Sequence, residues 1–152
     1  LDNIIIYCDG GCRGNQEDHN IGGWGAVLQY GGRSKELHGG AADTTNNIME
    51  LTAAIRSLET LKTEHIPVSF YIDSAYVVNG MNSWVAGWVK KGWKTASGQP
   101  VKNKELWMRL NELAGRQQAI TFNKVKGHHG VTLNERADEL ANQAMDEIES
   151  RS

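Results

Sequence analysis

Ile4-Ile5-Ile6-Tyr7-Cys8-Asp9-Gly10-Gly11, residues 4–11, decides how the chain begins to fold. A short apolar run closed by turn residues reads as a strand buried in a sheet. This one, over 3–9, closes on a carboxylate backed by two glycines. Such an aspartate is either a turn residue or the first piece of a site. The pattern recurs further on. Val68-Ser69-Phe70-Tyr71-Ile72 reads as a second apolar strand, and Asp73 follows it at once.

The elements between and beyond these two strands follow from periodicity and punctuation. Residues 10–23 read as a polar loop. Trp24, Ala26, Leu28 and Tyr30 alternate along a strand, Gly31-Gly32 makes a tight turn, and 33–40 returns as the partner strand of a hairpin. Asp43-Thr44-Thr45-Asn46 supplies N-cap chemistry, and Ile48, Leu51, Ile55 and Leu58 recur at helical spacing behind it. Residues 74–81 read as a short helix. Residues 82–104 form a helix–loop insertion with three of the five tryptophans nearby and five lysines. Leu106, Leu110 and Leu113 mark another helix, 119–125 a last strand, and 126–131 a Gly/His loop. Thr132-x-x-Glu135 is a capping box opening the final helix. The order is β-β-β-α-β-α-α-β-α. It predicts an α/β fold, a mixed sheet with helices on its faces, in which the first and fourth strands are central and parallel neighbours.

The length, 152 residues, predicts a single domain over 1–152. No apolar run approaches the roughly 20 residues that span a bilayer, and the N-terminus carries no signal-peptide pattern. The expectation is a cytoplasmic protein with no membrane partner. Cys8 and Cys12 predict reduced thiols with neither a disulfide framework nor a zinc site. The net charge of −2 argues weakly against a nucleic-acid partner. Its distribution does not: Lys90, Lys91, Lys94, Lys102 and Lys104 form a local basic face with Glu105 as the lone acid among them.

Four carboxylates have reason to meet. Asp9 and Asp73 would emerge together at the carboxyl edge of the sheet, where open α/β sheets bind ligands. Glu50 sits among Ile48, Met49 and Leu51, where an unpartnered carboxylate is costly. Asp138 lies in the last helix. Clustered carboxylates repel without cations, and oxygen-only ligands suit Mg²⁺ or Mn²⁺. Spacing alone brings only the two aspartates at the strand ends together.

The pieces Asp9-Gly10-Gly11-Cys12-x-Gly14-Asn15, Thr44-Thr45-Asn46-Asn47-x-Met49-Glu50-Leu51, Asp73-Ser74, Trp84-x-x-x-Trp88-x-Lys90-Lys91-Gly92-Trp93-Lys94-Thr95, Val101-Lys102-Asn103, Val125-Lys126-Gly127-His128 and Asn134-Glu135-Arg136-x-Asp138-Glu139-Leu140-Ala141 occur in this order. Together they make the chain resemble the type 1, bacterial HI-like ribonuclease H family, from Ile4 to about Ala144. The resemblance implies the ribonuclease H-like fold, a five-stranded mixed sheet in which an antiparallel hairpin joins parallel strands. It implies endonucleolytic hydrolysis of the RNA strand of an RNA–DNA hybrid, leaving 5′-phosphate and 3′-hydroxyl ends. It implies two Mg²⁺ ions, with Mn²⁺ able to substitute, held by Asp9, Glu50, Asp73 and Asp138. Asp9 would bridge both ions, Glu50 and Asp73 would serve the one that activates water, and Asp138 the other. His128 would assist proton transfer or product departure.

The substrate contacts implied are Gly11, Cys12, Asn15, Asn46 and Asn47 in the minor groove, Thr45 and Asn103 at a DNA-strand phosphate, and also Tyr76 and Asn134. Trp84, Lys90, Lys91 and Lys94 belong to the basic protrusion, about 82–104. Gly10 and Gly11 would let the backbone approach the substrate closely. The partner implied is a hybrid duplex, met by a monomer. The chain departs from the family pattern at 16–21, which is longer and more acidic, and at Gly11, Ile48, Ala75 and His129. Two rival readings remain: a non-catalytic hybrid-binding module, disfavoured by the presence of all four carboxylates, and an integrase-type DNA nuclease domain of the same fold, disfavoured by the basic insertion.

Overall fold

The computed structural model describes residues 3–14, 19–125 and 132–151. Five strands form one sheet: β1 (Ile4–Arg13), β2 (Ile21–Tyr30), β3 (Arg33–Ala42), β4 (Val68–Ile72) and β5 (Ile120–Lys124). Their spatial order is β3-β2-β1-β4-β5. β1 pairs antiparallel with β2 and parallel with β4, and β4 pairs parallel with β5. The mixed sheet and the β1–β4 adjacency are as the sequence predicts, with β1 in the middle.

Asp9 does not end its strand. β1 continues from Gly10 to Arg13, pairing with Trp24 back to Ile21 of β2, so the ends of the expected 10–23 loop are extended backbone. Their polar, glycine-rich composition hid this, because antiparallel ladder bonds need no apolar side chains. What ends is the parallel ladder. Its last pair is Cys8 with Ile72, and Asp9 and Asp73 are the next residue on each strand.

Alternation along β1 sends Ile4, Ile6 and Cys8 into the main core. There they meet α1 (Asn46–Glu59) and, beyond it, α4 (Lys104–Arg116). Thr45 caps α1, its hydroxyl accepting from Ile48 N–H at 3.1 Å. Met49 is in the core, as expected, and Met81 packs against it. Tyr7 points to the opposite face, where α5 (Thr132–Arg151) lies across β2 and its neighbours. Arg13 reaches Asp146 and Glu149 at 2.7 and 2.8 Å, and Arg136 grips both oxygens of Glu36, fixing α5 against β1 and β3. Thr132 and Glu135 of the expected capping box both lie in the first turn of α5, with Thr132 as the first helical residue.

The short helix expected over 74–81 is longer and irregular. Ser74 caps α2 (Ala75–Asn79), a π-helical turn (Gly80–Trp84) follows, and α3 (Val85–Lys90) continues it. Trp107 packs edge to face against Trp88 and Trp84 with centroids 5.4 and 6.4 Å apart, Trp84 lies tilted on Trp88 at 5.9 Å, and Trp93 closes on Trp88 at 6.2 Å. Trp107 is fully buried beneath them. The tryptophans therefore hold the insertion, while Trp84 keeps 39% of its surface exposed. Cys8 and Cys12 are both free thiols. Among the described residues no helix is long and apolar enough to cross a membrane.

Candidate active site

Two glycines bring the two helices that carry acids down to Asp9. A Cβ on Gly10 would lie 2.7 Å from Met49 C and 2.8 Å from Glu50 N. No side chain fits there, so α1 rests directly on β1 and delivers Glu50 beside Asp9. The sequence reading assigned this glycine to substrate approach; its bare face is filled by α1 instead. Gly11 is the open one, with Asn46 Oδ1 the nearest atom to its absent Cβ at 3.9 Å. Gly25, the cross-strand partner of Asp9, plays the matching part on the other face. A Cβ on it would collide with the Ala137 carbonyl and lie 2.6 Å from Leu140 Cβ. α5 can thus lie close enough for Asp138 to reach the same edge.

The four acids meet there. Gly10 N–H donates to Asp9 Oδ1 at 2.9 Å. Burial, then a hydrogen bond with Asp138 and repulsion from it, pushes the Asp9 carboxyl up to about 7; the Gly10 N–H opposes the shift and Asp73 adds to it. Burial pushes Glu50 up to about 9, with Asp9 and Asp73 both contributing repulsion. Asp9 therefore feels Asp138, Asp73 and Glu50 together. Asp138 is exposed, and Asp9, Glu50 and Asp73 are half-buried. Lys124 Nζ stands 3.7 Å from Asp73 Oδ1.

Among the described residues no three such side chains form a ready-made cage for an ion. The group is nonetheless suited to one. Glu50 Oε1 is buried with no hydrogen-bond partner, an arrangement that an oxygen-seeking cation would satisfy. Every donor is a carboxylate oxygen, the chemistry of Mg²⁺ or Mn²⁺. Burial first, and repulsion from the neighbouring acids after it, raises the Asp9 and Glu50 carboxyls, and a bound cation would oppose both effects. The residues present fit a divalent cation.

Around the carboxylates, Gly11 and Asn46 are neighbours, Asn47 is half-buried in the first turn of α1, and Cys12 is half-buried on β1. Thr45 and Asn103 stand at the N-termini of α1 and α4. Asn103 adopts a left-handed backbone, φ 59°, and its side-chain amide donates to Tyr76 Oη at 3.2 Å. Trp107 Nε1 donates to the same oxygen at 3.0 Å. Tyr76 thus orders the base of the insertion, whatever else it touches. Asn134 is buried at the start of α5, its Oδ1 without a partner among the described residues. Lys90, Lys91 and Lys94 are exposed. Asn15, His128, His129 and the acids at 17 and 18 lie outside the described residues.

Sequence reasoning missed three residues that shape the site: Gly23 and Gly25, which seat α5, and Lys124. The glycines had a signal, since isolated glycines inside a strand mark close backbone approach. Lys124 had none, because its position depends on the register of β5 against β4.

Fold and site together define an α/β protein with a carboxylate centre fit for a hard cation at the C-terminal end of its parallel strands. Comparison with known proteins narrows this. The model of the family described as RNase H matches residues 2–146, and the chain belongs to the RNase H family. It is 51% identical over 148 residues to the ribonuclease H of Ruthia magnifica subsp. Calyptogena magnifica, covering 97% of this chain and 99% of that one. It is 53% identical over 151 residues to the ribonuclease H of Alcanivorax borkumensis, covering 99% and 97%. Among solved structures it is similar to LC9-RNase H1, a type 1 RNase H with the type 2 active-site motif, with a TM-score of 0.84 at 32% identity over 95% of this chain and 72% of that one. It is also similar to LC11-RNase H1, solved in complex with an RNA/DNA hybrid, with a TM-score of 0.71 at 28% identity over 96% and 99%.

Proposed function

We propose that this protein is a ribonuclease H, an endonuclease that hydrolyses the RNA strand of RNA–DNA hybrids at the carboxylate centre of Asp9, Glu50, Asp73 and Asp138. The observation that carries the site assignment is the convergence of these four acids on one edge, with Glu50 Oε1 buried and unsatisfied among the described residues. Asp9, central to the group, would share two Mg²⁺ ions, with Glu50 and Asp73 holding one and Asp138 the other; Mn²⁺ would substitute. When bound, such a pair of ions lowers the pKa of water and stabilises the leaving oxygen. The protein's part is to hold these ligands on rigid elements. The Gly10 N–H orients Asp9, and the close seating of α1 and α5 fixes Glu50 and Asp138. His128 would assist proton transfer or product departure.

Gly11, Cys12, Asn15, Asn46 and Asn47 would read the minor groove, where the 2′-hydroxyls of the RNA strand distinguish a hybrid from DNA. Thr45 and Asn103 would hold a DNA-strand phosphate, with Tyr76 and Asn134 as further substrate contacts. Trp84, Lys90, Lys91 and Lys94 would take the DNA strand, the lysines binding phosphate without sequence preference. By the same reading the protein works as a cytoplasmic monomer, in one domain.

A panel of labelled RNA–DNA hybrid, duplex RNA and duplex DNA, with Mg²⁺ and with EDTA, tests the function. The expected result is Mg²⁺-dependent internal cutting of the hybrid's RNA strand alone, leaving 5′-phosphate and 3′-hydroxyl ends. Cutting of duplex DNA, or binding of hybrid without cutting, would refute it.

A further inference from the structure

Among the described residues one ion pair reaches the four carboxylates: Lys124 Nζ to Asp73 Oδ1 at 3.7 Å. The pair follows from register. Phe122 stacks on Phe70 with centroids 5.0 Å apart and planes at 5°, which pins β5 against β4. Asn123 reinforces this by donating to the Phe70 carbonyl at 3.1 Å. Lys124 is then the partner of Ile72, the last residue before Asp73, and Val125 N–H donates to the Ile72 carbonyl at 3.0 Å. Val125 is buried, so the strand cannot slide to carry Lys124 away. The lysine side chain is half exposed and Asp73 about a third exposed, at 50% and 32%. This pair contributes little to folding, since exposed ion pairs rarely do. Its effect falls instead on the field at the site, because an ammonium held beside Asp73 is set against the carboxylates that would draw in a divalent ion.

We propose that Lys124 is a built-in competitor for the divalent cation: it neutralises Asp73 when no ion is bound and sets how much metal the site needs. The inference rests on the metal-centre reading of the four acids. A cation entering at Asp73 must displace the ammonium or tolerate its repulsion. Either way Lys124 weakens metal binding and raises the concentration at which the site fills. Substrate phosphates offer the displaced lysine an alternative partner, so hybrid binding and metal binding favour each other at this residue.

The test is isothermal titration calorimetry of Mn²⁺ and Mg²⁺ into the hybrid-free protein, for the unaltered chain, Lys124→Gln and Lys124→Arg. Thermal melts with and without metal run alongside. Lys124→Gln should bind metal about three- to tenfold more tightly, the size expected when a unit charge is removed near a divalent ion in a partly solvated site. Its melting temperature should rise more on adding metal than that of the unaltered protein. Lys124→Arg should stay within about twofold, because it keeps the charge. Equal or weaker metal binding by Lys124→Gln, with normal binding by the unaltered chain, overturns the role of Lys124 alone. Absence of metal binding by the unaltered chain overturns the metal-centre reading and this inference with it.

Discussion

Replacing Asp9 by Asn should make the metal-free protein more stable, and the size of the gain should depend on pH. Asn keeps the shape of Asp9. Its Oδ1 can still accept from Gly10 N–H, and its amide can donate to Asp138 where a second carboxylate repels. The Asp9 carboxyl moves from an ordinary 3.8 to about 7 on folding. A carboxyl whose folded value lies above its unfolded one holds its proton more tightly in the folded state. Its penalty is absent below the unfolded value and grows as pH rises through the folded one. At 1.36 kcal/mol per unit the penalty has a ceiling of about 4 kcal/mol well above pH 7. Solvent still reaches this half-buried group, which brings the expected gain to about 2 kcal/mol near pH 8. For a domain of this size that is a rise of about 4–8 °C in Tm. Near pH 5 the gain should be less than half as large, because Asp9 is then already protonated in the folded protein. The assay is thermal denaturation by circular dichroism in EDTA at both pH values. An unchanged Tm, or an equal gain at the two pH values, would refute the idea that these acids are crowded together. With saturating Mg²⁺ the advantage should shrink or reverse, since the ion stabilises only the unaltered site.

Other expectations follow from the same contacts. Gly10→Ala puts a methyl against Met49 and Glu50, and should cost about 1–3 kcal/mol in chemical denaturation and slow hydrolysis by shifting Glu50; normal values of both would show that α1 has slack there. Tyr76→Phe strips the acceptor shared by Trp107 and Asn103, and should lower stability by about 2 kcal/mol in thermal melts; a neutral effect would mean that both donors find other partners.

Most of the frame was legible because apolar runs mark it. The strands Ile4–Cys8 and Val68–Ile72 announced themselves, and the helix between hairpin and fourth strand implied their parallel pairing. The carboxylates were harder. Asp9 and Asp73 could be brought together from strand ends, but nothing in local spacing brings Glu50 and Asp138 to them. That depends on Gly10 and Gly25 letting two helices touch the sheet from opposite faces, a tertiary effect. The extension of β1 to Arg13 escaped notice because a ladder of backbone hydrogen bonds leaves no hydrophobic signature in a Gly- and Arg-containing stretch. The irregular helix from Ala75 to Lys90 escaped for a similar reason, as its π-helical turn is accommodated by the packing of Trp84 and Trp107.

The measurement closest to the central claim compares the unaltered protein with Asp73→Asn on one labelled RNA–DNA hybrid, reading binding and single-turnover cleavage in the same Mg²⁺ buffer. The expected result is hybrid binding within a few-fold of normal and RNA-strand cleavage lost, by about three orders of magnitude or more. Near-normal cleavage by Asp73→Asn would contradict the claim that this carboxylate cluster performs the hydrolysis.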